Sequence, residues 1–453
     1  MIDGLKPYPE YKDSGLPWAE KVPSHWQLLP NRGLIRKRKV LVGKNHKNFR
    51  LLSLTKRGVI VRDVANGKGK WSSDMGTSQE VRAGDLVFCL FDVPETPRTV
   101  GLSPHDGMIT GAYTVFECLN PKQAGYFELF YRAMDDRKLL SPLYSGLRHT
   151  IPPSRFIGTK SPQPDPEEQS AIVRFLIHAN GRIEQAIRAK LKLIALLNEQ
   201  KQAIIHRAVT RGLHPNAPLK PSGIPWLGDI PKHWEVAKYK HFFQVRMGQT
   251  FLKTDLTDSG ELPVLSATMS GAILGYTRKN KARALVDKDD MVIPARGNSI
   301  GYVALVKSLC TSTQTTIQAK RIPNDRLTSS FAHAFGIGNK PFLYHFVQTA
   351  IPQITTREVA NNPIVVPPIN EQIEICAAIE NECGDIDSIL VRTEREIGLL
   401  REYRTRLVAD VVTGKLDVRA AAAKLPVEPQ EVIISENSTD EAGIADETEI
   451  EET

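Results

Sequence analysis

The chain has 453 residues, 41% apolar and 24% charged, enough for two to four domains with sizeable cores. No run approaches the ~20 apolar residues of a membrane helix, the start MIDGLKPYPEYKD lacks an export-signal pattern, and Cys89, Cys118, Cys310, Cys376 and Cys383 form no CxxC pair, so reduced thiols in the cytoplasm are expected. The net charge of +8 hides a body of +18 over residues 1–424, with 59 bases and 41 acids, which attracts polyanions and above all nucleic acid.

In chain order, the first signature is Ser14-Gly-Leu-Pro-Trp-Ala-Glu-Lys-Val-Pro-Ser-His-Trp26. It returns as Ser222-Gly-Ile-Pro-Trp-Leu-Gly-Asp-Ile-Pro-Lys-His-Trp234, with seven of thirteen positions identical at an offset of 208. Two tryptophans and two prolines per copy make chance a poor explanation, so the pattern reads as internal duplication. Strand signals follow at Phe49–Leu54, Gly58–Val64, Leu86–Phe91 and Tyr113–Cys118. Pro164-x-x-x-Glu168-Gln169 then opens a segment that recurs from Pro367-x-x-x-Glu371-Gln372 at an offset of 203, held for almost fifty residues.

This segment carries Ile183, Ile187, Ile194, Leu197, Ile204 and Ala208 on a 4-3-4-3 spacing, interrupted at Lys190 and Lys201. Its copy has Ile386, Leu390, Ile397, Leu400, Leu407 and Val411, with Thr393 and Arg404 at the same breaks. An apolar period of 3.5 predicts long helices with a left-handed coiled-coil seam. Gly181 and Gly384 are expected to divide each from a shorter preceding helix. Between the repeated blocks, 27–163 and 235–366 share little beyond Asp85-Leu-Val-Phe88 against Asp290-Met-Val-Ile293. Strand signals at Met291–Pro294 and Gly301–Val306 complete a reading of two mixed α/β domains with one frame and diverged surfaces. From Leu425 onward there are ten carboxylates and no Lys or Arg, the composition of a disordered tail.

Catalytic signatures are missing. Gly67-Lys-Gly-Lys70 and Gly414-Lys415 lack phosphate-loop spacing, Phe335-Gly-Ile-Gly338 reads as a plain loop, and Asn362-Pro-Ile364 does not supply an adenine methyltransferase segment. Pro164-Asp-Pro-Glu-Glu168 lacks the acid-x-Lys of a nuclease, and its copy has lost the acid. Trp18, His25, Trp26, Glu168 and Gln169, with Trp226, His233, Trp234, Glu371 and Gln372, read as structural elements of fixed turns and helix starts. No residue is assigned to catalysis or to a metal.

Gly223–Trp234, its weaker twin Gly15–Trp26, and Pro-Pro-Ile-Asn-Glu-Gln372 leading into a long helix resemble the specificity subunit of type I restriction–modification enzymes. The first copy departs at Ala19-Glu-Lys21 and at Pro164-Asp-Pro-Glu167. The resemblance covers residues 8–418 and implies an α+β fold. Two mixed α/β target-recognition domains would be joined by two long conserved helices pairing as an antiparallel coiled coil, with pseudo-two-fold internal duplication. The parts are a first recognition domain (1–163), a first conserved region (164–213), a linker and second recognition domain (214–366), a second conserved region (367–418) and an acidic tail (419–453). The family further implies a bipartite, asymmetric target in double-stranded DNA, two methyltransferase subunits and restriction subunits. S-adenosylmethionine, ATP and magnesium would then sit on those partners, and this non-catalytic chain would bind no cofactor.

Contacts to DNA need Lys or Arg for phosphates, and Arg, Asn or Gln for bases. The candidates are Lys56, Arg57, Lys68, Lys70 and Arg98 in the first domain and Arg278, Lys279, Arg296, Asn298 and Gln314 in the second. Arg296-Gly-Asn-Ser-Ile-Gly301 is the best single choice, because its glycines would let a polar loop approach DNA. A stand-alone DNA-binding protein, a coiled-coil scaffold without DNA, and an enzyme in its own right are the alternatives. The scaffold leaves the +18 body unexplained.

Overall fold

The computed structural model describes residues 5–62, 75–268, 272–297, 299–344 and 353–426. The chain divides into two compact units, Met1–Ala189 with Glu396–Thr453, and Lys190–Arg395. The architecture is α+β.

In the first unit, an antiparallel pair made by Gln27–Pro30 and Lys160–Gln163 brings the two ends of the domain together. Between them lies an antiparallel sheet in the order Ile35–Arg38, Thr114–Cys118, Leu86–Phe88, Val100–Leu102. Helices α1 (Ala124–Asp136) and α2 (Pro153–Gly158) belong to the same unit. Phe88, Phe116, Tyr131 and Phe156 meet with ring centroids 4.8–5.8 Å apart, all fully buried. Each such ring contributes roughly 1.5–3 kcal/mol of burial free energy. Helix α3 (Pro166–Arg211) follows.

The second unit has the same plan. Glu235–Lys238 pairs with Pro363–Val366, and the sheet order is Phe243–Met247, Thr316–Arg321, Met291–Pro294, Ala304–Leu305. A second sheet holds Ile273–Thr277, Leu262–Leu265, Cys310–Ser312 and Leu285–Val286. Helices α4 (Ser329–Gly338), α5 (Lys340–Leu343) and α6 (Thr356–Asn361) precede α7 (Ile369–Val412). Last comes α8 (Arg419–Ala422), in the first unit.

Each duplicated tryptophan is fully buried and sits where the end of one long helix meets the start of the other. Trp26 packs edge-on against Tyr126 of α1, and Trp234 edge-on against Phe331 of α4, both with centroids 6.3 Å apart. Gly212 and Gly414, just past the ends of α3 and α7, have φ +71° and +78°, the left-handed helix-stop geometry glycine favours. A Cβ on Gly212 would stand 3.2 Å from Trp234, and one on Gly414 3.0 Å from Trp26. At the helix starts, Gln169 Nε2 donates to the Pro164 carbonyl and Gln372 Nε2 to the Pro367 carbonyl, both at 2.8 Å. Both amides are buried, so these bonds satisfy groups that would otherwise be costly.

Several sequence expectations are corrected. Gly181 and Gly384 do not divide a short helix from a long one, since α3 and α7 run through them unbroken. One mid-helix glycine costs only about 1 kcal/mol, too little against the packing of forty-odd residues. Phe335–Gly338 is not a loop but the end of α4, where glycine permits close approach: a Cβ on Gly338 would lie 3.0 Å from Ile205 and 3.1 Å from Val209 of α3. The segment expected as a tail from residue 419 begins with α8, whose Ala422 is fully buried. Its acidic part, 427–453, lies outside the described residues. The strand expected at Gly301–Val306 shortens to Ala304–Leu305 and that at Phe49–Leu54 shifts to Leu52–Thr55.

Along the expected seam Ile183, Ile187, Ile386, Ile397 and Leu407 are buried, while Ile194, Leu197, Ile204, Leu390 and Leu400 are half-buried. The polar breaks have partners: Lys201 binds Asp387, Arg404 binds Glu184, and Thr393 Oγ1 donates to the Ile389 carbonyl. A Cβ at Gly181 or Gly384 would meet nothing within 4 Å. Gly181→Ala and Gly384→Ala should therefore each stabilise the protein by about 0.5–1 kcal/mol in chemical denaturation. Destabilisation by either would show that the helix needs a break there.

Candidate nucleic-acid interface

In the second unit three segments distant in sequence meet at one end of the main sheet. The strand Phe243–Met247 exits into Gly248-Gln-Thr250, the strand Thr316–Arg321 is entered through Thr313-Gln-Thr315, and Met291–Pro294 exits into Ala295-Arg296. Gly248 N donates to the Thr316 carbonyl, Gln249 N to the Ser312 carbonyl and Ala295 N to the Thr315 carbonyl, at 2.8–3.0 Å. The register pairs Pro294 with Thr316, where the ladder ends; Gln314 lies in the Thr313–Thr316 turn beside it, and Arg296 forms an antiparallel bridge with Gln353. Of the sequence candidates, Arg296 and Gln314 both flank this end of the sheet, and both are exposed.

Gly248 makes the meeting possible. A Cβ there would lie 2.2 Å from the Thr313 carbonyl oxygen and 2.5 Å from that of Ser312, both backbone atoms that cannot swing aside. Beyond it, Thr250 Oγ1 donates to Gln314 Oε1 at 2.7 Å. Gln249 ties in a basic turn: its Oε1 accepts from Arg283 N at 2.6 Å and its Nε2 donates to the Lys281 carbonyl at 2.9 Å. That turn also carries the exposed Arg278 and Lys279, while Lys281 is held by Asp255.

A buried polar floor supports this rim. Gln318, fully buried, donates to the Ala284 carbonyl at 2.9 Å and to Ser312 Oγ at 3.0 Å, and accepts from Arg246 Nε at 3.0 Å. Thr311 Oγ1 adds a 2.7 Å bond to the same carbonyl. A fully satisfied network of this kind fixes geometry in a way that an apolar floor does not.

In the first unit Lys56 and Arg57 form the exposed two-residue tip of the hairpin Leu52–Thr55/Gly58–Val61, with Arg57 N donating to Thr55 Oγ1 at 3.1 Å. Arg98 is withdrawn as a DNA contact. Its guanidinium lies 2.6 Å from Asp136 and 3.7 Å from Asp135, and its side chain is only 13% exposed. Lys68, Lys70 and Asn298 lie outside the described residues. Gly297 has φ +79°, but Gly301 serves packing rather than approach to DNA: a Cβ there would lie 2.5 Å from the Tyr344 ring.

Sequence reasoning also missed a basic stretch. Residues 21–62 contain twelve Lys or Arg and no Asp or Glu, a signal visible without coordinates. Of these, Lys37, Lys39, Lys44, Lys47 and Arg50 are exposed, whereas Arg36 pairs with Glu117 and Arg38 with Asp85. Gln249, Thr250 and Arg283 were missed as well, because only the fold brings them to the rim.

The duplicated histidines lie at the helix starts. His25 Nε2 is 2.9 Å from Glu168, which also accepts from Tyr8 OH at 2.6 Å. Burial first, then the Glu168 hydrogen bond and charge, push the Tyr8 phenol well above its ordinary range. His233 Nε2 is 2.7 Å from Glu371, which also accepts from Trp234 Nε1 at 3.0 Å. Among the described residues no group of three or more His, Cys, Asp or Glu could hold a metal, and no helix is long and apolar enough to cross a membrane.

Residues 231–386, which include the whole rim, match the family model described as type I restriction modification DNA specificity domain. The chain is similar to type I restriction specificity subunits. The type I restriction enzyme MjaVIII specificity subunit of Methanocaldococcus jannaschii is 23% identical over 281 residues, 58% of this chain and 64% of the relative, so the chain spans less than two thirds of that relative's length. A solved chain from a study of complex assembly and conformational transition of the type I R-M system aligns with a TM-score of 0.63 at 14% identity. It covers 87% of this chain and 99% of that one, which shows a shared fold. The HsdS subunit from Thermoanaerobacter tengcongensis aligns with 87% of this chain and 98% of its own at 16% identity, with a TM-score of 0.44.

Gly248→Ala should destabilise the second unit by about 1–3 kcal/mol, because the added carbon meets backbone oxygens. Chemical denaturation checks this, and an unchanged midpoint would mean that the two loops part at no cost.

Proposed function

We propose that the chain is the DNA-recognition subunit of a type I restriction–modification complex. The observation that carries this reading is the location of the rim, with its exposed Arg296 and Gln314, within the segment that matches the DNA specificity family. The +18 body supplies the electrostatic attraction, and exposed Arg, Gln and Thr side chains supply the groups that read base edges. Lys56 and Arg57 in the first unit and Arg278 and Lys279 in the second are assigned to phosphates.

Each unit is a target-recognition domain in this reading, and the duplicated signatures are the traces of one ancestral half. The common sheet order and the paired roles of Trp26 and Trp234 support it. Different rims then read different bases, which gives an asymmetric, bipartite target. Helices α3 and α7 form the antiparallel coiled coil between the readers. The ion pairs Glu184–Arg404 and Lys201–Asp387 support this, since in both the residue numbers add to 588, the mark of one antiparallel register. Methyltransferase and restriction subunits dock on the frame and carry S-adenosylmethionine, ATP and magnesium, while this chain performs no catalysis.

Selection from randomised duplex DNA, with the chain co-purified with a type I methyltransferase subunit, should enrich two short unlike motifs at one separation. A single compact motif would contradict two readers, and no enrichment would favour a scaffold. Replacing Lys56 and Arg57 by Ala should lower the slope of log affinity against log salt by about 0.9 per lost phosphate contact while leaving the motif unchanged. An unaltered slope would remove them from the interface.

A further inference from the structure

We infer that Gln314, oriented by Thr250, reads one adenine in the half-site of the second domain. The inference rests on the proposed DNA recognition and names the pair within the rim that carries base choice. The other glutamine there is excluded by its bonds: Gln249 spends Oε1 on Arg283 N and Ala284 N and Nε2 on the Lys281 carbonyl, all within the protein. Among the described residues the Gln314 side chain has one bond, from Thr250 Oγ1 to its Oε1 at 2.7 Å, and it is exposed at the rim.

A primary amide carries two N–H donors and two carbonyl lone pairs. The Thr250 bond occupies one lone pair and leaves a donor and an acceptor side by side. That pair complements the N7 acceptor and N6 amino group on the major-groove edge of adenine, whereas guanine offers two acceptors there. Thr250 is a positioning residue: it limits the rotation of the amide, and the Gly248 close approach sets Thr250 against the Gln314 turn. Arg296, exposed just past the strand Met291–Pro294, is left to contact a neighbouring base or phosphate.

The test is the same duplex selection with the full chain and its methyltransferase partner, read position by position. The unaltered chain should enrich an adenine at one position of one half-site. Gln314→Ala should reduce preference at that position by about tenfold or more while sparing every other position. Gln314→Glu should move the preference toward cytosine, whose amino group a carboxylate accepts, a gain that misfolding cannot produce. Thr250→Val should broaden the same position alone, and Thr250→Ser should restore it. A motif unchanged by Gln314→Ala, or uniform weakening at all positions, overturns this inference and leaves DNA recognition standing. Failure of the unaltered chain to enrich any motif overturns both.

Discussion

Everything in the structure depends on how a long helix is held at its two ends. In the second unit Trp234 is buried beside Gly212 at the end of α3, and its indole N–H bonds to Glu371 at the start of α7. In the first unit Trp26 is pressed against Gly414 beyond the end of α7, and its neighbour His25 bonds to Glu168 at the start of α3. A bulky ring against a glycine in left-handed geometry allows one helix exit, and a buried glutamine on a proline carbonyl allows one helix entry. The two copies differ in their partners: Glu371 accepts from Trp234, whereas Glu168 accepts from Tyr8, over which Arg419 of α8 lies.

From that anchorage, each domain needs only a frame and a rim. The closing strand pairs return the chain to the helix start, which lets the sheet ends vary without disturbing the anchor. In the second unit the rim combines a backbone-to-backbone approach at Gly248 with the satisfied network around Gln318, so the exposed Thr250 and Gln314 stand on a rigid base. Rigidity matters for recognition because a side chain ordered before binding loses less entropy when it meets its target.

The helices were legible because their apolar period and duplicated signatures are local in sequence. The glycine break was misread because propensity is a weak term: Gly181 sits in open space and costs little, while the rest of α3 decides. Strand positions were approximate for the usual reason that strands only two to six residues long carry little periodicity. The rim was illegible because residues 248–250, 281–284 and 312–315 meet only through sheet register. Arg98 misled for the same reason, its carboxylate partners Asp135 and Asp136 lying far along the chain. By contrast, the acid-free stretch 21–62 is legible in the sequence itself, because charge density along a segment needs no fold to reveal it.

The proposed reading, in which two recognition domains are spaced by long helices, is the part most open to test. It is tested most directly by inserting one heptad into each helix, at Lys190 and at Arg395, and repeating the duplex selection. Seven residues add roughly 10.5 Å of helix, about three base pairs of B-DNA. The account predicts that both half-sites keep their bases while the gap between them lengthens by about three base pairs. An unchanged gap with both half-sites retained would contradict it.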